Sequence, residues 1–176
     1  IDRRHTNSSS DTERWVNGLA TELQSHLTGP ALSPDQLFDA VASLHRRIKG
    51  SYAAIALISG RGLLAFRDPF GIRPLILGRR IAKNGKDEWI VASESLVIEN
   101  SGYEIVRDVE PGEAIFIDFD FNLHQRQCAQ SSQLVPCAFE YVYLARPDSV
   151  MNGISVYETR LRMGDLLAKT IIDSLP

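Results

Sequence analysis

Apolar residues recur every three or four positions through the first fifty residues and then gather into short runs, so helices come first and sheet follows. Val16, Leu19, Leu23 and Leu27 form the first helical stripe. Ser10-Asp11-Thr12-Glu13 precedes it with the spacing of a capping box, Ser10 accepting from the Glu13 backbone N–H and Glu13 reaching back. Gly29-Pro30 stops that helix after about four to five turns. Ser33-Pro34-Asp35-Gln36 repeats the start signal with proline at the first helical position, Leu37, Val41, Leu44 and Ile48 supply the next stripe, and Gly50 ends it.

Past Gly50 the period changes. The run from Ser51 to Ser59 is small and branched apolar, which predicts a strand buried on both faces, turned by Gly60-Arg61-Gly62. Short strands follow at Leu63 to Arg67, Leu75 to Arg79 and Trp89 to Ala92, and Asn84-Gly85 is a hairpin signal between the last two. Ala114 to Phe119 and Leu123 to Cys128 predict another hairpin with Asp118 to Asn122 in its turn. Leu134 to Pro147 reads as an extended segment carrying Phe139, Tyr141 and Tyr143. Ser155-Val156-Tyr157-Glu158 is a third capping box, opening an amphipathic helix with Leu161, Leu166, Leu167 and Ile171 that runs towards Asp173.

Composition narrows the partners. Of 176 residues, 44% are hydrophobic and 23% charged, the balance of a folded domain, and a net charge of -3 offers no basic field for nucleic acid or anionic lipid. No apolar run approaches the roughly 18 residues that span a bilayer. Two cysteines, Cys128 and Cys137, are too few for a disulfide scaffold, which points to a reducing cytoplasm. Ile1 to His5 include neither an initiating methionine nor the apolar core of a signal peptide, so the chain is expected to begin inside a longer protein.

Candidate chemistry is sparse. A nucleophilic cysteine needs a lowered pKa or a base in contact. His124 is nearest to Cys128, but four positions along one strand are about 13 Å, too far for a shared hydrogen bond. Both cysteines therefore read as packing residues, and Cys137 has no metal-ligating partners nearby. Phe66-Arg67-Asp68-Pro69-Phe70-Gly71-Ile72-Arg73-Pro74-Leu75 is denser in turn chemistry: Asp68-Pro69 starts a turn and Gly71 suits a positive φ. Either its arginines, Arg67 and Arg73, are solvated or pair with carboxylates such as Asp68, or the loop sets one beside an anionic ligand. Asp11, at the first helical position, either supports the cap through the helix dipole or faces a pocket and holds a cationic amine.

The run Cys137-Ala138-Phe139-Glu140-Tyr141-Val142-Tyr143-Leu144-Ala145-Arg146-Pro147-Asp148-Ser149 closely resembles the connector between the glutaminase and phosphoribosyltransferase domains of the amidophosphoribosyltransferase family. Arg67 to Leu75, Val91-Ala92-Ser93-Glu94-Ser95 and Arg107 to Ala114 follow in the order that family shows, so the resemblance covers essentially the whole chain. It implies an α+β fold, part of the four-layer αββα sandwich of N-terminal nucleophile hydrolases with two antiparallel sheets, followed by a linker and a helix. It divides the chain into the later part of a type 2 glutamine amidotransferase domain (1–136), a connector (137–154) and the first helix of a phosphoribosyltransferase domain (155–176).

By the same resemblance the complete enzyme hydrolyses glutamine at an N-terminal cysteine and passes ammonia to phosphoribosyl pyrophosphate, giving 5-phosphoribosylamine for purine synthesis. Thr6 to Glu13 resembles the segment whose aspartate binds the glutamine α-amino group, which assigns that role to Asp11. Asp68, Gly71 and Arg73 fall on a structural loop near the site. The catalytic cysteine, an arginine clamp and an asparagine-glycine oxyanion pair are expected before Ile1, so this chain alone is expected to carry no catalytic residue, no metal and no glutaminase activity. Magnesium is expected in the second domain. Some family members hold an iron–sulfur cluster partly through a cysteine placed like Cys137, and others keep that cysteine without a cluster. A cytoplasmic homo-oligomer with no nucleic acid or membrane partner is the accompanying expectation. The alternatives are a glutaminase domain of the asparagine synthetase or glucosamine phosphate synthase type, against which the connector argues, and a non-catalytic binding module.

Overall fold

The computed structural model describes residues 9–26 and 32–175. The Gly29-Pro30 stop signal lies outside them. Two helices, α1 (Asp11–His26) and α2 (Pro34–Arg47), open the chain. At the start of α1 the Thr12 N–H donates to Ser10 Oγ at 3.3 Å. The α2 cap has both halves of the box: Gln36 N–H donates to Ser33 Oγ at 3.3 Å, and Ser33 N–H donates to Gln36 Oε1 at 2.9 Å. Ile48, the last residue of the second apolar stripe, is already extended at φ -98 and ψ 132, so α2 stops one residue short of it.

The strands form two antiparallel sheets. β1 (Ala53–Ile58), β2 (Gly62–Arg67), β6 (Glu113–Asp118) and β7 (Leu123–Gln127) build the first in the order β1-β2-β6-β7. β3 (Ile76–Ile81), β4 (Asp87–Ala92) and β5 (Glu104–Asp108) build the second in the order β4-β3-β5. Leu19, Leu37, Phe38, Val41 and Leu44 of the helices pack on Leu64, Phe66, Ala114, Phe116 and Cys128 of the first sheet. The other face of that sheet offers Ala65 and Ile115 to Leu75, Leu77 and Val109. Alternation along β3 turns Gly78 outward beneath Ile98 of the six-residue α3 (Ser95–Asn100), where a Cβ would come within 2.4 Å of Ile98 Cγ2. The described residues thus stack as helix, sheet, sheet, helix, the outer helical layer being α3.

Three expectations need correction. The 51–59 run is not buried on both faces: Ala54, Ala56 and Ile58 are half-buried against the helices, while Ile55 and Leu57 are 50% and 76% exposed. β1 is an edge strand, and the second sheet lies over β2 and β6 instead of over it. The segment after Leu134 is extended only at first, where Gln133, Val135 and Cys137 donate N–H groups to the carbonyls of Pro69, Phe70 and Ile72. It then winds into a π-helical turn over Glu140–Leu144, with Glu140 and Tyr141 buried. Elements also stand where none was expected: α3, β5 and the two-residue hairpin of β8 (Val150–Met151) and β9 (Ile154–Ser155). The last helix, α4 (Val156–Ser174), begins at Ser155, whose Oγ accepts from Glu158 N–H at 3.3 Å.

Candidate functional site

A groove of about 760 Å³ runs between the first turns of α1 and the 48–56 segment, with Asp11 and Trp15 on one side, Tyr52, Ala54 and Ala56 on the other, and Lys49 at its rim. Asp11 is exposed there, at the positive end of a 16-residue helix. Trp15, four residues on, anchors that end of α1 by stacking on Phe66 at 4.6 Å and meeting Tyr52 edge-on at 5.6 Å. Tyr52 is held twice. Its hydroxyl lies 2.7 Å from His45 Nδ1, and its backbone exchanges bonds with Asp68, Tyr52 N–H donating to Asp68 Oδ2 at 3.2 Å and Asp68 N–H to Tyr52 O at 2.8 Å. Burial holds the His45 imidazole neutral, lowering its pKa to about 4 against the opposing pull of the Gly112 backbone and the Asp68 charge, and raises the Tyr52 phenol. Neither group is a base poised for work at neutral pH.

Behind Tyr52 the 68–73 loop is wound around two neighbouring side chains. The Asp68 carboxylate, fully buried, accepts from the N–H groups of Phe70 (2.9 Å), Ile72 (3.2 Å) and Arg73 (3.2 Å) as well as Tyr52. The Arg67 guanidinium, also buried, takes the carbonyls: Nε donates to Arg73 O at 2.7 Å, Nη2 to Gly71 O at 2.8 Å and Nη1 to Val109 O at 2.7 Å. Burial lowers the Arg67 pKa, opposed by the charges of Asp108, Asp68 and Glu110. Gly71 has φ +56, and a Cβ there would lie 3.0 Å from Pro111 Cγ and 3.2 Å from Arg67 Cζ, so only glycine lets the loop close on the guanidinium.

The two arginines follow neither sequence reading fully. Arg67 is neither solvated nor ion-paired with Asp68, and Arg73 leaves the loop to pair with buried Glu140 at 2.7 Å. The structure therefore brings Asp11 and Tyr52 to one groove and sets Asp68, Gly71 and Arg73 behind it, joined to it through Tyr52. Trp15, His45 and Tyr52 escaped the sequence reading. For Tyr52 the available signal was a lone aromatic among small residues just after Gly50.

His124 and Cys128 do not form a dyad. His124 Nε2 lies 2.9 Å from Asp118 Oδ2, while Cys128 sits in the helix-facing core, where burial pushes its thiol up. Cys137 is half-buried. Among the described residues no group of three or more His, Cys, Asp or Glu side chains could hold a metal ion, so these residues by themselves do not fit an iron–sulfur cluster, which takes four ligands. No helix among them is long and apolar enough to cross a membrane.

Two facing antiparallel sheets between helical layers are the α+β arrangement of N-terminal nucleophile hydrolases, and the comparisons sharpen that class. The chain is 50% identical over 169 residues to the amidophosphoribosyltransferase of Pasteurella multocida, and 48% identical over 169 residues to that of Escherichia coli, each match covering 96% of this chain and 33% of the relative. The Saccharomyces cerevisiae enzyme is 41% identical over 175 residues, 98% of this chain and 34% of its own. Among solved structures, the glutamine phosphoribosylpyrophosphate amidotransferase of B. subtilis, complexed with ADP and GMP, superposes with a TM-score of 0.74 at 28% identity over 95% of this chain and 33% of that one. No family model matches. The chain belongs to the amidophosphoribosyltransferase family and spans about a third of the length of the relatives it matches.

Proposed function

We propose that these 176 residues are part of an enzyme that releases ammonia from glutamine and transfers it to phosphoribosyl pyrophosphate, giving 5-phosphoribosylamine for purine synthesis. The observation that carries this reading is the groove with a carboxylate at a helix N-terminus, in a chain 50% identical to one such enzyme. Asp11 binds the α-ammonium of glutamine, and Trp15 and Tyr52 set the helix end that carries it. Residues 1–136 belong to the glutaminase domain, 137–154 connect it and 155–176 begin the transferase domain.

The nucleophile of amide hydrolysis lies outside these residues, since Cys128 is a buried thiol with a raised pKa. Magnesium acts in the transferase domain. The exposed apolar residues of α4, Leu166 at 68% and Ile172 at 69%, are the surface on which the rest of the transferase domain and a homo-oligomer build. The enzyme works in the cytoplasm.

Asp11→Asn in the complete protein tests the assignment, because it keeps the helix start and removes the charge. A lost charge-assisted contact weakens binding by about ten- to a hundredfold. The expected result is a glutamine KM raised by that factor with ammonia-dependent synthesis intact. An unchanged KM for glutamine beside normal ammonia-dependent synthesis overturns the assignment.

A further inference from the structure

The segment from 137 to α4 is joined to the sheets by a small set of side-chain contacts. Tyr141, Ala145, Met151 and Val156 make a small core of their own, separate from the two cores of the sheets. α4 is tied to that core by Arg160, whose Nε donates to Tyr141 O at 2.9 Å and whose Nη2 donates to Ala145 O at 2.7 Å. The core in turn meets the sheets at few points. Ser149 Oγ and Val150 N–H reach Glu94 and Ser95 at the start of α3, and Arg73 reaches Glu140.

The tie that reaches furthest back along the chain is Asn152. Its side-chain Oδ1 accepts from Arg67 Nη2 at 3.1 Å, 85 positions back in the chain. Its Nδ2 donates to the Tyr141 hydroxyl at 3.2 Å, and its N–H donates to Asp108 Oδ1 at 3.1 Å. One residue thus joins the separate small core, β5 and the guanidinium that organises the 68–73 loop. Asn152 sits at φ 51 and Gly153 at φ 71, the geometry of a tight β8–β9 turn, which asparagine tolerates and glycine accepts freely.

We infer that Asn152 and Arg67 form a latch, positioning residues that hold the 137–155 segment and α4 against the 68–73 loop and so fix the transferase side relative to the groove of Asp11. The functional half of this rests on the reading proposed above. The guanidinium is already committed to three backbone carbonyls, so the loop stays formed when Asn152 lets go. Release therefore loosens the 137–155 segment, which keeps its ties to Glu94, Ser95 and Arg73, and leaves the sheets intact.

Asn152→Gly in the complete protein separates these elements, because a Gly-Gly turn keeps the backbone geometry and removes only the amide. Asn152→Asp keeps an acceptor for Arg67. Hydrogen exchange is measured by mass spectrometry on peptides covering 138–156 and 53–67, and glutamine-dependent synthesis is compared with ammonia-dependent synthesis. With Asn152→Gly, exchange over 138–156 accelerates about tenfold or more, the loss expected for one hydrogen bond to a charged group, while 53–67 keeps the parent rate. The glutamine-to-ammonia activity ratio falls, and Asn152→Asp restores both readouts towards the parent. Parent-like exchange over 138–156 in Asn152→Gly overturns the latch, as does equal acceleration in both peptides. A parent protein that makes no phosphoribosylamine from either nitrogen source overturns the activity reading, and the exchange result decides the latch independently.

Discussion

Asp68→Asn is the sharpest perturbation of this fold, because it removes one charge and half of an acceptor set without changing the size of the side chain. The parent carboxylate satisfies four backbone donors, two on each oxygen: Phe70 and Ile72 on Oδ1, Tyr52 and Arg73 on Oδ2. An asparagine has one acceptor oxygen, so whichever way the amide turns, two N–H groups face its NH₂ donors. Hydrogen bonds to a charged group contribute about 1.5–3 kcal/mol each, so losing two costs about 3–6 kcal/mol. That is a large share of the roughly 5–15 kcal/mol that holds a domain folded. The loss also leaves the buried Arg67 guanidinium with Asp108 and Glu110 as its neighbouring carboxylates. Urea denaturation of the complete protein, followed through tryptophan fluorescence, reads the effect, since Trp15 stacks on Phe66 next to Arg67. With a slope of about 1–3 kcal/mol per molar urea, the midpoint falls by at least about 1 M. A midpoint within about 0.3 M of the parent would falsify the idea that the loop is built on this carboxylate.

His45 makes the fold acid-sensitive. Its imidazole titrates near 6.5 when unfolded and at about 4 in the fold, so the unfolded chain binds the extra proton and stability falls as pH drops from 6.5 towards 4, by up to about 3 kcal/mol. His45→Gln should flatten that part of the profile, and a variant with the parent's slope would exclude His45 as its source. Gly71→Ala combines φ +56 with three side-chain atoms within 3.2 Å and should cost more stability than Gly85→Ala, which has φ +78 in open space and meets only backbone strain of about 1–2 kcal/mol; equal losses in thermal unfolding would show that the loop yields around Gly71. The 176-residue chain alone should release no ammonia from glutamine, and turnover abolished by Cys128→Ser or Cys137→Ser would identify that cysteine as a nucleophile after all.

What the sequence revealed about this molecule divides along a physical line. Periodicity and caps act within a few residues, and the elements they govern came out in place: the Ser33 box opens α2, Ser155 opens α4, and Asn84-Gly85 turns β3 into β4, with Gly85 at φ +78. Asn152-Gly153 carries the same hairpin signal as Asn84-Gly85, but strands of two residues offer no alternation to confirm it. The exposure of β1 was illegible for another reason. A run such as Ala53 to Ile58 has the same composition at an edge as at the centre of a sheet, and which it becomes depends on where the neighbouring strands end. Resemblance singled out the stretches Arg67 to Leu75 and Cys137 to Ser149, yet not the contacts between them. Arg67 and Asn152 meet across 85 positions, and Arg73 and Glu140 across a comparable stretch, through contacts that no local pattern encodes. A charged side chain also reads as solvated by default, since arginine is almost never fully buried without partners. Here the partners are backbone carbonyls, whose direction is set by the Asp68 turn on the other side of the same loop. The adjacent pair Arg67-Asp68 is thus a single device, in which one side chain collects the loop's N–H groups and the other its C=O groups. Neither half can be assigned until the loop has been closed around both.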